Sequence, residues 1–334
     1  MVLTALRLYE LMADAPPQRQ GDYTRLAFPA LGTQNSILFR APDPVLAAGF
    51  REAALRWLAE FEARFSRFIP VSLVARLNAA AGDGTWFELE SGAQELFALC
   101  DWFHWKTSGI FDPTAGTLTA LWDYRRPLAV EPTEAAINAA RACVGWGLVE
   151  RAPGRIRLPR AGMQLDLGGI GKEYAVDRMV ELAGQWGVVD LLVDFGRDVR
   201  AAGSPPEGGD WRIGLEHPEQ PDACWSSVGL HNAAICCSGD YRRFALIGGR
   251  RYSHLVDPRT GRPARNDIRS AWVIAPTCTE AGILTTAACI LGAGAAQQLF
   301  EQTPGSAGCL WSEHGLFQSR RFQAYELKAQ KISA

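Results

Sequence analysis

The sequence predicts an α+β fold, and two observations carry that expectation. Helical and strand-like segments follow one another in mixed order, where a parallel α/β fold would alternate strictly. The stretch from Trp211 to Val256 is β-rich throughout and is broken only by turns at Pro218–Asp222 and Gly248-Gly249. A chain of 334 residues, 48% hydrophobic and 21% charged, can bury a sizeable core in one large domain or two ordinary ones. A net charge of −2 supplies no basic field for nucleic acid.

Taken in order, residues 1–20 read as a short helix and a Pro/Gln linker, ahead of a single domain over 21–328. Arg25–Arg40 alternates as a strand pair around Leu31-Gly32-Thr33. Pro44–Phe68 repeats apolar residues at helical spacing (Leu46, Phe50, Ala54, Leu58, Phe61). Gln94–Lys106 is a second helix. Thr133–Ala142 is a third, entered through Glu131-Pro132-Thr133. Gly154–Leu167 reads as two short strands and Gly171–Gly187 as a helix. Val188–Val193, Asp198–Gly203 and Ser270–Ala275 read as strands, Thr279–Ile290 and Ala295–Glu301 as helices. No internal repeat is present.

Eight cysteines sit in apolar stretches without CxxC or Cys/His spacing, so free buried thiols in a reducing compartment are expected. Arg7, Glu10 and Asp14 interrupt the apolar N-terminal stretch, and no early cysteine offers a lipid attachment point. No apolar run reaches the roughly 20 residues that span a bilayer. These features lead to the expectation of a cytoplasmic protein without a membrane span.

Three segments concentrate polar chemistry. Leu165-Asp-Leu-Gly-Gly-Ile-Gly-Lys172 ends a strand and opens a helix; glycines let backbone approach a phosphate, and a helix N-terminus attracts anions. It is neither a Walker loop, since Glu173 follows Lys172, nor a GxGxxG fingerprint. Asp166 suits either an N-cap or a ligand-facing carboxylate. Asp112, before Pro113, has the form of a turn initiator. Ser238-Gly-Asp-Tyr-Arg-Arg-Phe244, followed by Tyr252-Ser-His-Leu-Val-Asp-Pro-Arg-Thr-Gly-Arg-Pro263, packs hydroxyls, carboxylates, guanidiniums and a histidine between β-type runs. Polar groups so dense are costly to bury without partners. His254, in a strand, is the foremost titratable candidate among the five histidines.

Together these segments resemble the ApbE family, the FAD:protein FMN transferases, from Leu31 to Gly292 and in family order. Leu31-Gly-Thr33 resembles Met-Gly-Thr. Phe65-Ser-Arg-Phe-Ile-Pro70, Ser72 and Arg76-Leu-Asn78 resemble Ser-x-Tyr-x-Pro-x-Ser…Arg-Leu-Asn. Phe111–Leu118 is similar to Phe-Asp-Pro-Thr-x-Gly-Pro-Leu, and Leu165–Asp177 to Leu-Asp-Leu-Gly-Gly-Ile-Ala-Lys-Gly-Tyr-Ala-x-Asp. Val193–Asp198 follows Val-Asn-Leu-Gly-Gly-Asp, and Ser238–Tyr241 and Tyr252–Pro263 follow the family almost letter for letter.

The resemblance implies mixed or antiparallel sheets with flanking helices. It implies cleavage of FAD, attachment of FMN through a phosphoester to Ser or Thr of a target protein, and release of AMP, assisted by Mg²⁺. Its site residues would be His254 and Asp240 for catalysis, and Leu31, Phe68, Phe111, Asp112, Asp166, Lys172, Ser238 and Val256 for FAD. The metal would lie near the Gly169 carbonyl and Thr286. Three positions depart from the family pattern. Gly282 stands in the aspartate place of the helix motif Asp-x-x-x-Thr, Glu173 stands where the family has Gly, and Leu73 where it often has Glu. Glu280 is two residues from position 282 and should point elsewhere. The expected protein is a divergent member that retains FAD, with Glu173 able to restore the lost charge. Holding FAD without transfer, or hydrolysing it, are the alternatives.

Overall fold

The computed structural model describes residues 3–126, 128, 130–220, 222–239 and 243–327. Nine strands make one sheet in the order Gln18–Gln20, Tyr23–Ala30, Thr33–Arg40, Asp190–Phe195, Asp198–Ala202, Ala233–Gly239, Ile268–Ala275, Ala307–Ser312, Gly315–Gln318. Every neighbouring pair is antiparallel. Among the described residues ten α-helices accompany it: α1 (Ala5–Ala13), α2 (Pro44–Phe65), α3 (Leu73–Ala79), α4 (Ser91–Lys106), α5 (Gly116–Leu121), α6 (Glu134–Arg141), α7 (Gly171–Gln185), α8 (Cys278–Leu291), α9 (Ala293–Gln302) and α10 (Arg320–Gln323). The α+β expectation, with an antiparallel sheet and flanking helices, holds.

The sheet is covered on both faces, and strand alternation sorts its residues between them. On Ala233–Gly239, Ala234 and Cys236 enter the main core beneath α2, α7 and α8. Ala233 and Ile235 face the second core, built with Trp211, Leu230 and Phe322. The partner strand obeys the same rule, with Ala271 and Val273 on the helix side and Trp272 and Ile274 opposite. Period-2 alternation therefore sends the next residue on that side, Ser238, toward the helices. A smaller core of Leu118, Trp122, Ile137, Ala245, Ile247 and Val256 ties α5 and α6 to the Phe244–Ile247/Arg250–Ser253 hairpin.

Several boundaries differ from the sequence reading. The first twenty residues are built into the domain. Gln18–Gln20 extends the sheet, and Leu8 and Met12 of α1 are buried in the main core. Pro44–Phe65 ends three residues early because Ser66 turns to an extended conformation. Of the two strands expected over 154–167, only Arg155–Arg157 forms. Farther on, Asn78 brackets Leu165, accepting its N–H (2.7 Å) and donating to its carbonyl (3.0 Å), so a side chain replaces the strand partner. Helices α3 and α5 are too short to show a full period in the sequence. Thr133 does cap α6, its hydroxyl accepting from the Ala136 N–H at 3.2 Å.

The joint between α7 and α8 is made by one buried carboxylate. Asp177 Oδ1 accepts from the Cys278 N–H (2.8 Å) and Arg200 (2.7 Å). Its Oδ2 accepts from the Thr279 N–H (2.9 Å) and hydroxyl (2.6 Å). Helix N-termini carry unpaired N–H groups and partial positive charge, and a carboxylate satisfies both. Asp177→Ala would leave those donors and Arg200 without their acceptor, and about 3 kcal/mol of stability should be lost in urea denaturation.

Candidate active site

A cavity of 330 Å³ opens where α7 begins, beside the end of the Ala233–Gly239 strand and the second half of α8. Phe111, Asp112, Asp166, Gly169, Lys172, Ser238, His254, Val256 and Thr286 all line it. Residues up to 175 positions apart in the chain, from Phe111 to Thr286, thus meet in one place. Leu31 and Phe68 are not in its lining, and Asp240 lies outside the described residues.

The floor is the turn into α7. Gly168 donates to Asp166 Oδ1 at 2.9 Å, and no side chain caps the helix. The first turn of α7 thus brings Lys172 and Glu173 to the cavity with backbone N–H groups that can receive a phosphate. Asp166 Oδ2 is held by Thr119 (3.2 Å) and Arg67 Nε (3.2 Å). The carboxylate therefore lines the cavity and makes a turn with Gly168; it does not serve as the N-cap of α7, whose cap position is Ile170. Lys172 is ion-paired with buried Asp198.

Phe111 forms a wall, its ring edge 3.8 Å from where a Gly169 Cβ would lie. Asp112 is committed to its own loop. Oδ1 accepts from the Thr114 N–H (2.8 Å) and hydroxyl (2.5 Å), and Oδ2 from the Trp146 N–H (3.0 Å). Its carboxylate sets the loop that presents Phe111, as a turn initiator does. Phe68 is 65% exposed, with the Arg67 guanidinium 4.3 Å and that of Arg125 5.6 Å from its ring centre. Since Arg67 also holds Asp166, Phe68 stands next to the rim. Leu31 adopts φ 54° in the hairpin turn, where its N–H donates to Glu62 at 2.9 Å. Burial raises the Glu62 pKa.

His254 follows the end of the Arg250–Ser253 strand and is not within it. Its Nδ1 lies 3.0 Å from the Arg243 carbonyl, which can only accept, so Nδ1 carries the proton and Nε2 is left as the acceptor, without a partner among the described residues. Burial, reinforced by the Arg243 charge, lowers its pKa to about 4. The imidazole is neutral at physiological pH and able to take a proton.

The groups that could hold a hard metal ion here are oxygens. Ser238 Oγ lies 2.8 Å from Thr285 Oγ1 and 3.4 Å from Thr286 Oγ1. Glu280 turns away to pair with Lys106, as its helix position implied. Leu73 is buried as the first residue of α3, behind the Ser72 cap. Gly282 faces Glu173: a Cβ there would lie 2.5 Å from Glu173 Cγ. Glu173 Oε2 is buried with no hydrogen-bond partner. One unsatisfied carboxylate oxygen among hydroxyls and carbonyls suits a hard divalent cation.

Residues 31–311 match the model of the ApbE family. The chain belongs to the ApbE family. The FAD:protein FMN transferase of Salmonella typhimurium is 34% identical over 202 residues, 58% of this chain and 57% of that protein. The Treponema pallidum FAD:protein FMN transferase is 32% identical over 252 residues, 70% of this chain and 69% of that one. The ApbE protein of Thermotoga maritima superposes with a TM-score of 0.83 at 29% identity, covering 92% of this chain and all of that one. Flavin transferase ApbE from Vibrio cholerae gives 0.80 at 25% identity, with 93% of this chain and all of that one covered.

Sequence reasoning about this ApbE-family protein missed Arg67, Thr119 and Thr285. Arg67 and Thr285 adjoin residues that were singled out, and only tertiary contacts reveal that they hold Asp166 and Ser238. The depressed pKa of His254 has a consequence for stability. Between its ordinary value of 6.5 and about 4, the unfolded chain takes a proton that the folded site refuses. The stabilisation is full above 6.5 and is lost as pH falls through about 4. The His254 ring shifts in NMR should titrate near pH 4; a midpoint near 6.5 would contradict the burial argument.

Proposed function

We propose that this protein is an FAD:protein FMN transferase. It breaks the pyrophosphate bond of FAD, joins FMN through a phosphoester to a Ser or Thr hydroxyl of a target protein and releases AMP. The observation that carries the reading is the placing of His254, with a free Nε2, in the same cavity as the glycine turn and Lys172 at the start of α7. The relatives named FAD:protein FMN transferase support it.

Each group has a physical task. The N–H groups at the start of α7 and the Lys172 ammonium bind the diphosphate. Phe111, Val256 and the Phe68 rim contact the flavin dinucleotide, and Asp166, braced by Arg67 and Thr119, shapes its seat. His254 Nε2 accepts the proton of the acceptor hydroxyl as that oxygen attacks the FMN phosphorus and the bond to AMP breaks. A neutral imidazole held by the Arg243 carbonyl keeps its lone pair available. Asp240 is the second catalytic group of this proposal, by resemblance alone. Mg²⁺, held by the Gly169 carbonyl and the Thr286 hydroxyl, would neutralise charge on the diphosphate.

The test supplies FAD, Mg²⁺ and a protein bearing the acceptor Ser/Thr motif, then measures AMP by chromatography and flavin fluorescence on the denatured acceptor. Both products should appear together. AMP without labelled acceptor identifies a pyrophosphatase, and saturable FAD binding with neither product identifies a flavin-holding protein. His254→Ala should lower AMP release by a factor of about 10² to 10⁴. FAD affinity should change by no more than about threefold, because a general base acts in the transition state.

A further inference from the structure

Helices α7 and α8 meet one turn at a time. Asp177 of α7 holds the first residues of α8, Cys278 and Thr279. One turn back along α7 stands Glu173; one turn on along α8 stands Gly282. The two are in contact: the Glu173 side chain occupies the volume that any side chain at 282 would need, with 2.5 Å between Glu173 Cγ and a built Cβ. One further turn along α8 brings Thr286, which shares the cavity with Gly169 and Glu173.

Glu173 is 8% exposed and, among the described residues, its Oε2 finds no hydrogen-bond donor. Its Oε1 is 3.7 Å from Lys172 Nζ, but that ammonium is already paired with Asp198. A buried carboxylate with an unpartnered oxygen is unfavourable unless something else satisfies it. The other polar groups of α8 and its strand neighbour that reach this part of the cavity are the Thr286 and Ser238 hydroxyls. A carboxylate, hydroxyls and a backbone carbonyl form a hard oxygen donor set, suited to Mg²⁺ or Mn²⁺ and poor for soft metals.

We infer that Glu173 supplies the carboxylate ligand of a divalent cation in this cavity, reaching from α7 into the space left by Gly282 on α8. The residue kinds at 173 and 282 are exchanged relative to the family pattern, so the carboxylate has moved from one helix to the other while its site has stayed. The role of the cation rests on the transferase reading above; the ligand assignment rests on the contact between Glu173 and Gly282.

The test titrates the full chain with Mn²⁺, with and without saturating FAD, and follows free Mn²⁺ by electron paramagnetic resonance. FAD affinity is read in parallel by flavin fluorescence. The parent should bind one Mn²⁺ per chain. E173Q should bind it at least about tenfold more weakly, and the exchange E173G/G282D should restore binding to within about threefold of the parent, since it returns the carboxylate to the same volume. E173Q, which removes an unpartnered buried charge, should melt no lower than the metal-free parent, and Mn²⁺ should raise the melting temperature of the parent and of E173G/G282D but not of E173Q. If E173Q does not fold, the comparison of E173G with E173G/G282D decides: only the second should bind. Mn²⁺ binding by E173Q equal to the parent's, or none by the FAD-saturated parent, overturns the assignment. Failure of the transferase reading would register separately, as absent AMP release or absent FAD binding.

Discussion

The site depends on how Asp177 joins two helices and a strand. Three of its four hydrogen bonds fix the start of α8 against the middle of α7, and the fourth, from Arg200, anchors the pair to the Asp198–Ala202 strand. Helices that can slide by one turn would move their side chains by 5.4 Å, enough to separate any of the contacts at the cavity. With the register fixed, the glycine turn that opens α7 faces the distal half of α8. A glycine turn with uncapped backbone N–H groups and a row of hydroxyls arrive together. The same constraint brings Glu173 onto Gly282, so the residue directly after the glycine-rich Leu165–Lys172 motif acquires a place among the polar groups of the cavity.

The opposite wall is positioned by a separate small core. Trp122 stacks on Tyr252 with ring centres 5.7 Å apart, and its indole N–H donates to the Gly261 carbonyl at 2.9 Å. These contacts clamp both sides of the segment containing His254, while Ala245, Ile247 and Val256 seal it from below. Removal of the imidazole from water, with Arg243 nearby, keeps it neutral. Rigid placement and neutrality have one cause, the burial of the hairpin against α5 and α6. The cavity is consequently the meeting of two independently packed units, one built on the sheet and one on the hairpin.

Charge in the cavity is distributed with few loose ends. Lys172 is balanced by Asp198, Asp166 by Arg67, and Asp112 by two backbone N–H groups and a hydroxyl. Against that background the buried Oε2 of Glu173, without a hydrogen-bond partner among the described residues, is the exception.

The sequence by itself determined the class of fold, most helices and strands, and most of the residues that meet in the cavity. Those are properties of local pattern. Periods of 3.6 and 2 record which face is buried, and glycines, prolines and caps mark where the chain turns. Seven motifs in order then connected these local features to a family. Tertiary structure decided what local pattern cannot encode. Asp112 could be read as a turn former or as a ligand, and only the Thr114 and Trp146 contacts commit it to its loop. Leu165 has a strand's composition, yet Asn78, 87 positions away, takes its hydrogen bonds. The N-terminal segment read as a linker pairs with the sheet because Leu8 and Met12 find a surface to bury against. Gly282 looked like the loss of a ligand. The side chain packed against it is that of Glu173, 109 positions earlier, and that proximity is set by the register of two helices.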